Sequence, residues 1–256
     1  MLSALSLAAL SLALGVKADD AQWPDYTKFG NMFYSGPTSN GAYITKATYS
    51  MVPPATPCGY HDGTKEQEEL ALWIGVQADP TGKDVMDMNL VQPLLNWAPD
   101  QSLTGCNTDV DHWCIAASTY TPQGQQGQTY VQVPSDSQID FTIFVDSDNK
   151  VNQTAWVNGA VISTQADSAD LKPAVFYSGN ECSLYSCGTL DGYSWSNITL
   201  HLSEADEKFG DTFTLTGATS TGAKTSDGGK TWTVEEIKIN KDYLYVDGSK
   251  TDCSSS

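Results

Sequence analysis

The sequence predicts an all-β protein, built as a two-sheet antiparallel β-sandwich of the jelly-roll kind. Short runs rich in Val, Ile, Thr, Tyr and Phe recur between clusters of Gly, Asp, Asn, Ser and Pro along the 256 residues. Apolar residues almost nowhere keep helical spacing for ten residues. A long meander of antiparallel strands protects its edges by forming two packed sheets, which favours the sandwich.

About a dozen strands follow from these runs. Two turn signals support them: Asn158-Gly159 lies between two alternating arms, and Asp227-Gly228-Gly229 precedes a further strand. The segment PQGQQGQ at 122–128 is expected to be a polar surface loop, and only 64–69 and 203–208 favour helix. The strands are expected near 42–52, 70–77, 88–97, 112–120, 128–133, 139–145, 153–162, 174–177, 197–202, 212–216, 232–239 and 243–246.

The first eighteen residues are typical of a secretory signal peptide. They are apolar and small, too short for a bilayer span, and end with Val16 and Ala18 at the −3 and −1 positions. Residues 19–256 are then expected to form a single secreted β-sandwich domain, since all-β domains of this length occur as one unit. Asn152-Gln153-Thr154 and Asn197-Ile198-Thr199 are glycosylation acceptors, which fits export and predicts surface positions for Asn152 and Asn197.

The charge limits the partners. The chain has 31 acidic and 13 basic residues, for a formal net charge of −18, and it has no arginine. Such a surface repels nucleic acid and anionic membranes and lacks the guanidinium fork that grips phosphate. We expect no nucleic-acid or membrane partner and a monomer. The acidity suits either an acidic exterior or simple solubility.

Six cysteines in an exported chain predict three disulfides, for which fifteen pairings are possible. Pairing Cys106 with Cys114 and Cys182 with Cys187 closes two short loops and leaves Cys58 with Cys253 to tie down the tail. The cysteines form no Cys-x-x-Cys pair and the three histidines are scattered, so we expect no metal site and no cofactor.

Several common active sites do not fit the sequence. It has no Gly-x-Ser-x-Gly for a serine nucleophile. The acids at 66, 68 and 69 are expected on a polar turn, unlike a glycosidase pair facing one cleft. Glu235 and Glu236 are neighbours on a strand and are expected on opposite faces. Without arginine, a uronate lyase would have to neutralise its substrate with lysine or an amide.

One polar residue interrupts an apolar strand pair. The run from Leu70 to Gln77, LALWIGVQ, is followed by MNLVQPLLNW at 88–97, in which Gln92 stands in mid-strand. A mid-strand Gln needs partners for its amide or a polar cleft. It is therefore either a buried residue bonded to backbone or part of a site.

The order of motifs resembles that of the eqolisins, the glutamic peptidases of filamentous fungi, which have a concanavalin-like sandwich. Trp73-Ile74-Gly75-Val76-Gln77 resembles their Trp-Val-Gly-Ile-Asp strand, and Leu90-Val91-Gln92 resembles the strand with the catalytic Gln. Then follow Asp111-His112-Trp113-Cys114 and, in FYSGNEC at 176–182, Glu181 as the later Glu. Pro93 departs from the Thr-Gly that follows the family's Gln.

The resemblance implies an acid-active endopeptidase. Glu181 would be the general base for a water, and the Gln92 amide would donate to the oxyanion. Trp73, Trp113 and Tyr177 are candidates to bind an extracellular polymer, although aromatic residues suit a core equally well. Two alternatives stay open: a polysaccharide lyase or glycoside hydrolase on the same fold, and a non-catalytic carbohydrate-binding or host-interaction protein.

Overall fold

The computed structural model describes residues 27–60, 69–169, 171–183 and 186–253. The expected signal peptide at 1–18 lies outside these residues. So does the helix-prone segment at 64–69, apart from Glu69, which begins a strand. Within the described ranges, no helix has the length and apolar character needed to cross a bilayer.

The described residues form twenty strands, here numbered in chain order, arranged as two large antiparallel sheets and a two-stranded ribbon. The larger sheet has the order β10-β7-β6-β4-β14-β2-β17, with β1, β5, β8 and β9 paired beside this path. Its strands are β1 (Lys28–Phe29), β2 (Met32–Ser35), β4 (Glu69–Gln77), β5 (Leu90–Val91), β6 (Leu94–Trp97), β7 (Cys114–Ala116), β8 (Ser118–Thr121), β9 (Gly124–Gly127), β10 (Val131–Gln132), β14 (Val175–Ser183) and β17 (Thr214–Thr216).

The second sheet has the order β13-β12-β11-β3-β16-β19-β18. Its strands are β3 (Ile44–Met51), β11 (Ile139–Val145), β12 (Lys150–Val157), β13 (Ala160–Ala169), β16 (Tyr193–Leu202), β18 (Ala218–Ser220) and β19 (Thr231–Ile239). The ribbon pairs β15 (Gly188–Leu190) with β20 (Asp242–Leu244). Short 3₁₀ helices lie at Val85–Asp87, Gln101–Thr104 and Phe209–Thr212.

The two large sheets enclose one continuous apolar core. Strand β4 turns Leu70, Leu72, Ile74 and Val76 inward, because side chains alternate between the two faces of a strand. Tyr49 of the second sheet stacks on Phe141 and meets Phe176 of the larger sheet edge-on. The hydroxyl of Tyr49 donates to the carbonyl oxygen of Ile74 at 3.1 Å, so a polar contact also joins the layers. The predicted antiparallel β-sandwich is confirmed.

Several predicted strand boundaries are wrong for local reasons. The run at 88–97 divides into β5 and β6 around Pro93, which has no N–H for the ladder. The expected loop at 122–128 contains strand β9, whose backbone pairs with β8 despite its polar side chains. The Asn158-Gly159 hairpin is correct: both residues have positive φ and join β12 to β13.

The described residues contain the three expected disulfides, Cys58–Cys253, Cys106–Cys114 and Cys182–Cys187. The Cys58–Cys253 bond spans 195 residues and ties the tail to the first half of the chain. Disulfides of this kind form in oxidising compartments, which agrees with an extracellular location.

Candidate active site

The candidate site lies on the outer face of the larger sheet, the face turned away from the core. Strand β4 presents its odd-numbered residues there, since its even-numbered residues enter the core. Residues directly opposite each other on paired strands share a face, so β14 adds its own odd-numbered residues. The outward positions of these two strands are Glu69, Ala71, Trp73, Gly75 and Gln77 on β4, and Val175, Tyr177, Gly179, Glu181 and Ser183 on β14.

A hydrogen bond fixes Glu181 to Trp73. The indole Nε1 of Trp73 donates to Oε2 of Glu181 at 3.0 Å. Gly179 lies directly opposite Trp73, and a Cβ at Gly179 would stand 2.6 Å from the indole Cζ2. The indole can therefore lie flat over Gly179 and direct its N–H toward the carboxylate.

Burial changes the acidity of Glu181. The side chain is only 8% exposed, and burial raises its pKa to about 7. The Trp73 hydrogen bond opposes the rise, and the charge of Glu69 adds to it. A carboxyl group with this pKa is protonated in mild acid and ionised in mild base, so it can transfer a proton in either direction near neutrality.

Asn96 shares a row of the sheet with Glu181. Ala71 pairs with Asn96 on one side and with Glu181 on the other, so all three face outward across neighbouring strands. Asn96 is 1% exposed, and among the described residues no group meets hydrogen-bond geometry at its amide nitrogen or oxygen, although the amide lies near enough to Glu69 to lower the pKa of that carboxyl. Such a group costs free energy unless something fills its bonds. Ala71, which stands between the amide and the carboxylate in this row, has a small side chain.

Glu69 brings a second carboxylate to the same face, where sequence reasoning placed a polar turn. It is the first residue of β4, two positions before Ala71, and is thus a diagonal neighbour of Glu181. Cα atoms in such diagonal pairs are roughly 7–8 Å apart. Burial raises the pKa of Glu69, and the nearby Asn96 amide offsets part of this rise. Side chains of β4 alternate between the two faces, so Glu69, four positions before Trp73, faces outward as Trp73 does. This alternation was the signal that could have identified Glu69.

Gln92 faces outward on the same sheet but in a different row. Val91 pairs with Val76, so the next position lies beside Gly75, whose added Cβ would come 3.1 Å from Cβ of Gln92. Gln92 is 5% exposed, and its Oε1 has no hydrogen-bond partner in the part of the chain that the structure describes. Gly75 lies four residues from Ala71, roughly 13 Å along an extended strand. Gln92 therefore lies in the row of Tyr177, and Glu181 lies in the row of Ala71. The distance between these two rows does not favour a single water bound by both Gln92 and Glu181.

Two of the three aromatic candidates lie at this face. The rings of Trp73 and Tyr177 meet edge-on with centroids 5.3 Å apart, and the Tyr177 hydroxyl donates to Oε1 of Gln77 at 3.2 Å. The expectation for Trp113 is wrong. It is 4% exposed within the core, and its indole N–H donates to the carbonyl oxygen of Pro54, because alternation turns this position inward.

Tyr130 is a site residue that sequence reasoning missed. Its ring packs against the outward cluster of Trp73, Leu90 and Leu94. Burial raises the pKa of Tyr130, and the charges of Glu69 and Glu181 raise it further. Tyr130 precedes β10, on a segment without a distinctive motif.

Metal-binding groups do not mark this face. Among the described residues, no cluster of three or more His, Cys, Asp or Glu side chains is placed to hold a metal ion. His112, part of the eqolisin-like motif, contacts the exposed Asp109 through its Nδ1.

No protein-family model matches this chain. The search of curated proteins also found no match. Solved structures with a similar fold include scytalido-glutamic peptidase bound to a transition-state analog inhibitor, at 11% identity and a TM-score of 0.46, covering 82% of this chain and 98% of that one. They also include a β-glucanase of Bacillus licheniformis, at 12% identity and a TM-score of 0.33, covering 81% and 76%.

An alginate lyase of Zobellia galactanivorans has 10% identity and a TM-score of 0.33, covering 72% of this chain and 65% of the lyase. The eqolisin peptidases and concanavalin-like glucanases expected from the sequence are thus both among the similar folds. Every TM-score quoted is below 0.5, so we take from these structures a likeness of fold and nothing of the chemistry.

Proposed function

We propose that this chain is a secreted hydrolase of an extracellular polysaccharide, with Glu181 as proton donor and Glu69 as the ionised partner. The observation that supports this most is that two carboxylates lie on adjacent strands of one outward face in unequal surroundings. Glycosidic bond cleavage needs a pair of this kind, one carboxyl group protonated and the other ionised.

In the proposed reaction, Glu181 transfers its proton to the glycosidic oxygen as the bond from that oxygen to the anomeric carbon breaks. Glu69 stabilises the positive charge that develops on the sugar ring and takes a proton from the water that adds to the anomeric carbon. The products are one chain with a new reducing end and one with a free hydroxyl group. Glu181 then regains a proton from solvent, and Glu69 returns its proton to solvent. The half-buried Tyr177 provides aromatic surface on this face, and the buried Trp73 holds the Glu181 carboxylate through its indole N–H.

The pH dependence follows from the two groups. Glu181 is protonated below its pKa of about 7, whereas Glu69 is ionised only above its own pKa, which burial raises from 4.5. We therefore expect a maximum in mild acid, with the alkaline side of the profile set by Glu181.

Asn96 favours a second candidate, a glutamic-type peptidase. Its amide, which no described group meets in hydrogen-bond geometry, shares a row with Glu181, so Asn96 is better placed than Gln92 to donate to an oxyanion. Glu181 would then act as the base. A base must be ionised, so this activity would increase with pH toward 7 and would be weak near pH 3–4.

The test is a panel of neutral and acidic polysaccharides and a denatured protein, each incubated with the purified chain from pH 3 to 8. The polysaccharide proposal requires new reducing ends, loss of activity in Glu181→Gln and in Glu69→Gln, and little change in Gln92→Ala. Cleavage of protein that needs Glu181 and Asn96 but not Glu69 would replace it with the peptidase. Unsaturated uronate products would indicate a lyase, and glycan binding without turnover would indicate a binding protein.

A further inference from the structure

The opposite outer face of the sandwich, on the seven-stranded sheet, contains a shallow depression of about 420 Å³. Small-molecule sites generally have volumes of roughly 300–1,000 Å³, so this one could accommodate sugar rings. It has no residue in common with the candidate active site. Its lining includes Ser50, Asp140, Thr142, Trp156 and Asn197.

The floor of the depression is one row of the sheet. Trp156 pairs with Asp140, Asp140 with Ser50, and Ser50 with Ser196, so all four point outward. The Ser50 hydroxyl donates to Oδ1 of Asp140 at 2.7 Å. The partly exposed Trp156 indole stands at one end.

A second row beside it consists of threonines. Thr154, Thr142, Thr48 and Thr199 follow one another across the four strands and all face outward. Hydroxyl groups, one carboxylate acceptor and an aromatic face together match the alternating polar and apolar surfaces of a sugar ring.

Asn197 stands at the other end of this depression, in an irregularity of β16. The register against β3 shifts between Ser196 and Thr199, so two consecutive residues, Ser196 and Asn197, point away from the core. Asn197 is exposed and has a φ of 53°, a left-handed conformation that Asn adopts more readily than most residues. Its amide therefore stands clear of the strand, and Thr199 completes the glycosylation acceptor.

The other acceptor, Asn152, is less available. It is partly buried, and its amide nitrogen donates to Oδ2 of Asp146 at 2.8 Å. That hydrogen bond would have to break before the amide could be modified. The two acceptors lie on the same sheet face, but only Asn197 borders the depression.

We infer that Asn197 carries an N-linked glycan, and that its first sugars fold back across the depression to pack on Trp156. The row from Ser196 to Trp156 crosses three strand spacings, which is roughly 14 Å. This is longer than one sugar ring, so several of the inner sugars are needed to reach the indole. Ser50, Asp140 and the threonines supply hydrogen bonds along the path. The modified face is thereby covered, and the face with Glu181 stays free.

The inference depends on export through a glycosylating pathway and is independent of the proposed enzyme activity. The chain is produced by secretion from a eukaryotic host as wild type, Asn197→Gln, Asn152→Gln, Trp156→Ala and Trp156→Phe. Intact mass before and after peptide N-glycosidase treatment measures occupancy. Thermal unfolding of each sample, with and without its glycan, measures whether the sugars contact the protein.

We expect Asn197→Gln to lose one glycan and Asn152→Gln to lose none. Removing the glycan from the wild type should lower Tm by about 2–4 °C, the shift that 1 kcal/mol produces in a protein of this size. Trp156→Ala should abolish this decrease and Trp156→Phe should keep part of it. An unmodified Asn197 overturns the inference, as does a Tm unaffected by deglycosylation or a decrease that is the same in Trp156→Ala.

Discussion

Trp73 donates its indole N–H to Oε2 of Glu181 at 3.0 Å, from the neighbouring strand and from 108 residues earlier in the chain. This hydrogen bond favours the ionised carboxylate, while burial favours the neutral acid and has the larger effect on the pKa. The balance leaves Glu181 with a pKa of about 7 on a face that also carries Glu69 and Asn96.

The stability of the protein should depend on pH through Glu181. Its pKa is about 7 in the folded protein and 4.5 without perturbation, so the folded state binds the proton more tightly. The resulting stabilisation is fully present below pH 4.5 and is lost as pH rises through 7, in total about 3 kcal/mol. Glu181→Gln cannot ionise, so relative to wild type it should gain about this amount between pH 4.5 and 8. Urea unfolding at both pH values measures the difference, and an equal difference at both would contradict the prediction.

Gly179→Ala should displace the Trp73 indole, because its Cβ would stand 2.6 Å from Cζ2. Loss of the hydrogen bond should raise the pKa of Glu181 further, which a carboxyl titration followed by infrared spectroscopy would detect. Gly210→Ala is a matched control, since its Cβ would stand 2.3 Å from Cζ3 of another indole, Trp232. Both variants should lose stability, and only Gly179→Ala should move the titration. A shift of the same size in both would show that the Trp73 contact is not its cause.

Tyr130→Ala should lower the pKa of Glu181 toward 4.5. The ring packs beside the carboxylates, and its removal admits water and weakens the desolvation that raises the pKa. Tyr130→Phe keeps the ring and should leave the pKa near 7. The alkaline limb of any activity profile, or the same infrared titration, would measure the change. An unchanged pKa in Tyr130→Ala would mean that other groups keep Glu181 dry.

Ala71→Val should abolish activity while the fold is kept. The two added methyl groups stand in the row of Asn96 and Glu181 and two positions from Glu69, at the face where the reaction is proposed. We expect at least a hundredfold loss in kcat/KM, the effect typical of a misplaced reacting group. Ala166→Val, on the exposed face of the other sheet, is the control and should retain full activity. Circular dichroism would verify that both variants are folded, and normal activity in Ala71→Val would place the reaction elsewhere.

Local sequence patterns predicted a large part of the fold. The run LALWIGVQ reads as a strand because Leu70, Leu72, Ile74 and Val76 repeat with a period of two, and that period also decides that Trp73 faces the other side. The Asn158-Gly159 turn and the three disulfides were predicted from single residues and their spacing. Strand β9 was not predicted, because its pairing uses backbone groups that its polar sequence does not reveal.

The candidate site was predicted only in part. Of the residues selected from the sequence, Glu181 and Trp73 lie on one face, whereas Trp113 belongs to the core. Glu69 and Tyr130 escaped notice because neither belongs to a motif: Glu69 ends the predicted helix-prone segment at 64–69, and Tyr130 lies within the strand predicted at 128–133. Asn96 was read as a residue of an apolar run, and its unpartnered amide becomes evident only when its neighbours in space are known.

The amino-acid sequence by itself determined that the chain forms β-strands, which face of β4 enters the core, and that the six cysteines suffice for three disulfides. These properties depend on neighbours within a few residues or on simple loop closure. Only the tertiary structure decided that Glu181 lies in the row of Ala71 and Asn96, and Gln92 in the row of Gly75 and Tyr177. The register between distant strands depends on packing across the whole sheet, and a shift of two residues would keep every hydrophobic side chain inward while changing every partner in the site.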